Sequence, residues 1–430
     1  MKVIKKASFI YIAVIILFVV FKILSGIVPH HLVRDNIKKS YSSFVEYPIV
    51  GLSEGEWEKS TQLDGVSEYY LLANAMSTTG ENPVKEALGN YIVQGHGSSG
   101  IEIINYLKDI GTHETNLENK IYKPAYWWGI QSLMRPLLVF YSYSAAISVL
   151  QLVVLFMMII LFYLISNRIG LVEGVLFVFS MWSINIFVVT MSFFFASTFL
   201  AGMGICIYIF FDKSLDTNYG YIFLVAGMLT AYFDWLSATT IPLTLPLIVL
   251  FLLMNKKSGL SLKRGMKLGV VSSVMWVLGY SSTIIAKWIL AGLAGFDVWG
   301  GALLRVGAGV SGTKVDWLPS DTVGLALASI KGNYEQLRFI VIARYSGQMN
   351  MLIILMFLVL LLAVLFRKRG TFPVYLSIIA LYPVVEYIML KGHDAIHCWF
   401  TYRSAAATVW AASLMIFYMV DLDKLRRLKL

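Results

Sequence analysis

The feature that most constrains this chain is a series of eight long stretches with almost no charge. They run from Ser8 to Val28, Ser144 to Ile165, Leu171 to Phe211, Tyr219 to Met254, Leu268 to Trp288, Leu352 to Phe366, Phe372 to Leu390 and Phe400 to Val420. A bilayer crossing needs about 20 mostly apolar residues. The third and fourth stretches each hold two crossings, with turns near Thr190 and at Asp234, so the pattern predicts about ten. Composition agrees: 58% of residues are apolar and 14% charged, against roughly 25% charged in a soluble domain. A soluble enzyme, a disordered chain and a disulfide scaffold are excluded. The only cysteines, Cys206 and Cys398, fall in or beside different apolar runs and read as buried free thiols. The expected fold is an all-α polytopic membrane protein.

Charge supplies the orientation. With the N-terminus inside and ten crossings, every strong basic cluster falls in the cytoplasm: Lys2, Lys5 and Lys6; Lys256, Lys257, Lys263, Arg264 and Lys267; Arg367, Lys368 and Arg369; and the C-terminal Lys424, Arg426, Arg427 and Lys429. That is the positive-inside pattern, and it accounts for most of the formal charge of +10. Nucleic acid is therefore not an expected partner. The same N-in/C-in arrangement puts 20 of the 25 carboxylates and all six histidines on the outer face. Chemistry is expected there. The basic, apolar N-terminus is read as an uncleaved first crossing with Lys22 snorkelling to one surface.

The chain divides into a first crossing (1–28), an outer segment with interfacial helices (29–143), crossings two to seven (144–294), a second outer segment (295–349), and crossings eight to ten with a basic tail (350–430). The first outer segment is too long for a plain connector. Within it, SEYYLLANAM and IEIINYLKDI have helical spacing. YWWGIQSLMRPLLVF is aromatic and amphipathic, and reads as an interfacial helix running into crossing two.

Four groups of residues are candidates for chemistry. Glu68 lies in the first outer segment, where a surface carboxylate can deprotonate an acceptor hydroxyl. The segment KGHDAIHCWFTYR brings Lys391, His393, Asp394, His397 and Arg403 into one short turn. Its Arg, Lys and His suit phosphate, its His pair at i, i+4 leaves room for a divalent metal without calling for one, and an interfacial anchor is the plain alternative. Asp234 and Glu386 lie at or inside the apolar boundary. Arg403 is the expected ion-pair partner of Glu386, and a turn cap is a plain reading of Asp234. The glycine-rich stretch ending in Gly312, Thr313 and Lys314 has the wrong order for a phosphate-binding P-loop. It reads as a flexible outer loop with Arg305 and Lys314 as spare phosphate contacts. No cofactor and no nucleotide are expected.

Ser67, Glu68, Tyr69, Tyr70, Leu71 and Leu72, followed by Gly80, resemble the D-E-x-Y-Y motif of the GT-C superfamily of membrane glycosyltransferases, with Arg135 and Pro136 at the entry to crossing two. The resemblance covers roughly the first 170 residues. Serine stands where the motif has its first acid, which keeps Asp64 and Asp35 open beside Glu68 as the base. KGHDAIHCWFTYR and YFDWLSATTIPLTLPL also resemble stretches of bacterial polysaccharide-cluster membrane proteins. These resemblances imply a multi-pass protein of the cell membrane, bacterial plasma membrane in origin, that moves a sugar from a polyprenyl-phosphate donor to an envelope glycan, lipid or protein. Glu68 or Asp64 would be the base. Arg135, His393, His397 and Arg403 would hold the lipid phosphate, with Glu386 and Asp234 beside the substrate. A polysaccharide polymerase or ligase, and a lipid-linked glycan transporter without bond chemistry, are the alternatives.

Overall fold

The computed structural model describes residues 2–41, 60–93, 107, 120–311, 318–366, 374–421 and 424. The protein is helical. Its one sheet among the described residues is a two-stranded antiparallel ribbon of β1 (Tyr91–Val93) and β2 (Lys120–Tyr122), in which Tyr91 faces Tyr122. Helix α1 (Lys2–Gly26) is followed by four short helices of the first outer segment: α2 (His30–Lys38), α3 (Gly65–Ser77), α4 (Pro83–Gly89) and, after the ribbon, α5 (Gln131–Phe140). Then come α6 (Tyr143–Arg168), α7 (Leu171–Ser183), the single turn α8 (Ile186–Val189), α9 (Phe193–Phe211), α10 (Leu215–Phe233), α11 (Ile241–Ser258) and α12 (Leu262–Leu293). The remainder is α13 (Trp299–Ser311), α14 (Thr322–Glu335), α15 (Arg338–Tyr345), α16 (Met349–Leu365), α17 (Val374–Ala380), α18 (Tyr382–Met389), α19 (Lys391–Ile396), α20 (Cys398–Thr401) and α21 (Ala406–Met419).

Among the described residues, five helices are long and apolar enough to cross a membrane: α1, α6, α9, α11 and α12. They differ in surroundings. Most of α9 and α11 is buried, whereas α1, α6 and α12 are largely exposed. On α16 nearly every side chain is apolar and exposed, from Met351 to Leu365. Lipid is the solvent that tolerates such a surface. The architecture therefore has two buried long helices, α9 and α11, and three long helices, α1, α6 and α12, whose apolar surface is largely exposed.

Four local expectations are corrected. The aromatic stretch before crossing two does not run into it: α5 ends at Phe140, and Ser142 starts a separate helix by accepting from the Ala145 N–H. The ninth expected crossing is broken between α17 and α18, where Pro383 has no N–H to continue the ladder. The tenth is interrupted by a 3₁₀ turn over Tyr402–Ala405. Lys22 does not snorkel. It is buried and donates to the Asn90 side-chain oxygen at 2.8 Å.

Helices α10 and α12 touch through glycine. A Cβ on Gly227 would lie 2.0 Å from the Trp276 carbonyl oxygen, and one on Gly279 would lie 2.1 Å from that of Leu224. Only hydrogen fits between these backbones, which is how helices associate without a hydrophobic drive in lipid.

Candidate functional site

Helices α9 and α11 begin inside protein, so their first N–H groups have no water to bind. An acid from elsewhere in the chain answers each. Glu68, in the first turn of α3, accepts four hydrogen bonds. Oε1 takes the Tyr143 hydroxyl at 2.7 Å and the Phe193 N–H at 3.1 Å. Oε2 takes the Ser192 hydroxyl at 2.7 Å and the Phe194 N–H at 3.0 Å. Burial pushes this carboxyl above its usual range, and the four donors pull against that shift. Glu386 holds the two residues that lead into α11, accepting from the Thr239 N–H at 3.2 Å, the Thr240 N–H at 3.3 Å and the Thr240 hydroxyl. A carboxylate at a helix N-terminus also meets the positive end of the macrodipole.

Cations occupy the opposite ends. Arg135 is buried and donates from Nε to the Ser25 carbonyl at 2.7 Å, from Nη1 to that of Ala75, and from Nη2 to that of Thr78 at 3.2 Å. It thereby closes the ends of α1 and α3 together. Lys287, on α12, donates to the Leu88 carbonyl at the end of α4 at 2.5 Å. These contacts correct two expectations. The Glu68 oxygens are directed at the start of α9 rather than at Arg135 and Arg403, and the Arg135 donors are held by backbone rather than offered to a ligand.

Asp234 organises the turn between α10 and α11. Oδ1 accepts from the Thr198 hydroxyl, the Ser237 N–H and the Ser237 hydroxyl at 2.7–2.9 Å. Oδ2 accepts from the Leu236 N–H at 3.1 Å and the Thr239 hydroxyl at 2.7 Å. Within the turn Leu236 has φ +62°, a left-handed conformation rarely adopted by a bulky residue. Asp234 and Glu386 thus fasten the same turn from two sides. The expected Glu386–Arg403 ion pair is not among the contacts of the described residues, because backbone N–H groups occupy the Glu386 oxygens.

The segment from Lys391 to Arg403 is different, since several of its polar atoms are buried without partners. His393 Nδ1 lies 2.8 Å from Asp394 Oδ1. The His393 and His397 rings are 4.7 Å apart, and His397 stacks on Phe400 at 5.1 Å. Asp394 Oδ2, His397 Nδ1 and two guanidinium nitrogens of Arg403, Nε and Nη2, have no hydrogen-bond partner among the described residues. The Arg403 guanidinium lies 4.1 Å over the Phe195 ring. Burial pushes the His393 imidazole down to about 4 and that of His397 to about 3, so both are neutral at neutral pH. Burial drives the Asp394 carboxyl well up. The charges of Asp64 and Asp234 reach His393, and that of Asp64 also reaches Arg403. Asp64 itself is buried, pushed up by burial, and starts α3 by accepting from the Ser67 N–H at 3.0 Å.

The charges of Asp64 and Asp234 thus reach the segment that holds His393, Asp394, His397 and Arg403, Glu386 lies within reach of Asp394 and Asp234, and Glu68 and Arg135 fasten helix ends. Asp35 is an exposed acid 3.9 Å from Lys38. Lys314, the Arg305 side chain and all of IEIINYLKDI except Leu107 lie outside the described residues. Among the described residues no group of three His, Cys, Asp or Glu side chains is arranged to hold a metal ion. Sequence reasoning missed Trp235 and the aromatic rings around it. The available signal was its place beside Asp234 in a turn that interrupts an apolar run.

Compared with protein-family models, curated proteins and solved structures, the chain matches none.

Proposed function

We propose that this protein is a glycosyltransferase of the outer face of a cell membrane, a bacterial plasma membrane, with about ten crossings and both termini in the cytoplasm. It takes a sugar from a polyprenyl-phosphate donor and passes it to an envelope glycan, lipid or protein. The observation that carries this reading is Arg403, a buried guanidinium whose Nη1 donates to the Phe400 carbonyl while Nε and Nη2 have no hydrogen-bond partner at close distance among the described residues. A buried cation with idle donors is costly unless an anion completes it. An oxygen-rich phosphate suits the guanidinium fork.

The chemistry follows from the neighbours of Arg403. Asp394 Oδ1 lies against His393 Nδ1; an ionised Asp394 would accept from Nδ1–H and leave the Nε2 lone pair free, as in other His–carboxylate pairs. His393 Nε2 takes the proton of an acceptor hydroxyl. The acceptor oxygen bonds to the anomeric carbon, the bond from that carbon to the phosphate oxygen breaks, and its electron pair leaves with the polyprenyl phosphate. Arg403 stabilises that departing charge in a site of low dielectric. A single displacement inverts the anomeric centre. Glu68 is in this reading a positioning residue, because its oxygens already hold the start of α9.

A second reading is favoured by that same occupancy of Glu68. An envelope polysaccharide polymerase or ligase uses the same lipid-linked donor but relies on the later Arg and His cluster. The acceptor distinguishes the two. A transporter gains less support, since Asp234 and Glu386 fasten a turn rather than line a path.

The test is native mass spectrometry of the detergent-extracted protein beside Arg403→Ala and His393→Gln. Wild type and His393→Gln are expected to carry a polyprenyl phosphate or polyprenyl-linked sugar, and Arg403→Ala to lose it while keeping other lipids. Wild type that holds ordinary phospholipids and no polyprenyl species overturns the reading.

A further inference from the structure

We propose that Trp235 and the rings around it form a stacking platform for one pyranose ring of a glycan, next to the His393–Arg403 cluster. The proposal deepens the transferase reading and rests on it for the ring's role as donor or acceptor sugar. Binding of a sugar ring at Trp235 is testable without it.

Trp235 is carried on the turn fastened by Asp234 and Glu386. Its indole is surrounded by Trp128 at 5.1 Å, Tyr126 at 5.6 Å, Phe194 at 5.9 Å and Tyr70 at 6.4 Å between ring centroids. Trp128 and Phe194 are buried, while Tyr70, Tyr126 and Trp235 are only partly so. The cluster therefore has a buried floor and three rings that reach its surface. All four neighbours meet the indole at steep angles, between 46° and 90°. Among the described residues none lies parallel on it, so none of their rings is stacked on its broad face.

Two further observations separate this cluster from ordinary core. The Trp128 indole N–H is buried with no acceptor among the described residues, and such orphans in native structures call for an explanation. Backbone strain flanks the cluster on both sides, at Trp128 with φ +51° and at Leu236 with φ +62°. Non-glycine residues held in that region cost about 1–3 kcal/mol each and cluster at binding and catalytic sites.

The occupant follows from the chemistry. A pyranose presents a face of C–H bonds with partial positive charge, which matches the negative face of an indole. Its rim of hydroxyls suits the polar ends of the partly exposed Tyr70 and Tyr126 beside the indole. A flat lipid tail would use the rings but leave the polar rim idle. Continuity with the cluster is direct: Phe194 lies 5.9 Å from Phe400, and Phe400 lies 5.1 Å from His397 and 5.9 Å from His393. A sugar on Trp235 would extend toward the proposed base.

The test uses the full chain in nanodiscs, labelled with 5-fluorotryptophan and observed by fluorine NMR. The resonance missing from Trp235→Phe identifies Trp235 among the 11 tryptophans. Methyl glycosides of glucose, galactose, mannose and N-acetylglucosamine are titrated at millimolar concentration, with sorbitol as an open-chain control. At least one glycoside is expected to shift the Trp235 resonance saturably while sorbitol does not. Tyr70→Leu is expected to weaken that response by about tenfold, and Arg403→Lys to leave it unchanged, which separates this result from the fate of the phosphate reading. A Trp235 resonance unmoved by all four glycosides, or moved equally by sorbitol, overturns the proposal.

Discussion

Replacing Glu68 with alanine separates a base from a fastener. The substitution deletes the acceptor of four buried donors: the Tyr143 and Ser192 hydroxyls and the N–H groups of Phe193 and Phe194. A buried donor left without a partner costs about 1–3 kcal/mol. At the low end for each of four, Glu68→Ala loses about 4 kcal/mol. Loss of the carboxylate from the positive end of α9 adds up to about 2 kcal/mol. Glu68→Gln retains one acceptor oxygen and turns an amide N–H₂ toward two donors, so it is expected to lose roughly half as much. The assay is thermal unfolding of the purified protein in one detergent, followed by intrinsic tryptophan fluorescence, with limited proteolysis of the first outer segment alongside. Expected are a lower transition for Gln and a still lower one for Ala, with faster cleavage between α2 and α9. A Glu68→Ala protein as heat-stable and protease-resistant as wild type, but without turnover, would refute the fastener reasoning and restore Glu68 as the base.

Arg135→Met, which keeps the length of the side chain, is expected to lose about 3 kcal/mol in the same unfolding assay by stranding the carbonyls of Ser25, Ala75 and Thr78; an unchanged transition would remove Arg135 from the frame. Gly279→Ala should cost about 1–3 kcal/mol, because its Cβ meets the Leu224 carbonyl oxygen, and unchanged stability would contradict the close approach of α10 and α12. The folded state keeps His393 neutral down to about pH 4, whereas an unfolded histidine takes its proton near 6.5. Stability from this group is complete above pH 6.5, falls as pH drops toward 4, and levels off below. The span amounts to about 3 kcal/mol at most. His393→Gln should flatten that slope, and an equal slope in the variant would dismiss the assignment.

What the sequence made legible is what local pattern encodes. Apolar runs placed the long helices α1, α6, α9, α11 and α12, and Asp234 at the end of a run already read as a turn cap. Glu68 illustrates the limit. Its partners at residues 192–194 lie 124 or more positions away, and nothing in SEYYLLANAM encodes which helix start it meets. The Glu386–Arg403 pairing was expected from similar depth, but helix-end N–H groups, which the sequence carries everywhere and marks nowhere, took the carboxylate. Pro383 was visible, yet a proline inside an apolar run reads equally as a kink or as a break. The His393–Arg403 segment was found from its composition. That four of its buried polar atoms lack a partner among the described residues could be seen only after the surrounding chain was in place.

The fasteners also set an order of assembly. Arg135 finds its three carbonyls upstream, at residues 25, 75 and 78, so that clamp can close as soon as Arg135 is made. Glu68 must wait for Ser192, and the Leu88 carbonyl must wait for Lys287, 199 positions later. At the usual 5–20 residues per second of synthesis, those delays are about 6–25 s and 10–40 s. For that time the segment between α1 and α6 has its acid unanswered and α4 uncapped. Cut free as a soluble fragment, it would keep both defects permanently, and the smallest piece of this chain able to complete its outer segment extends at least to Lys287.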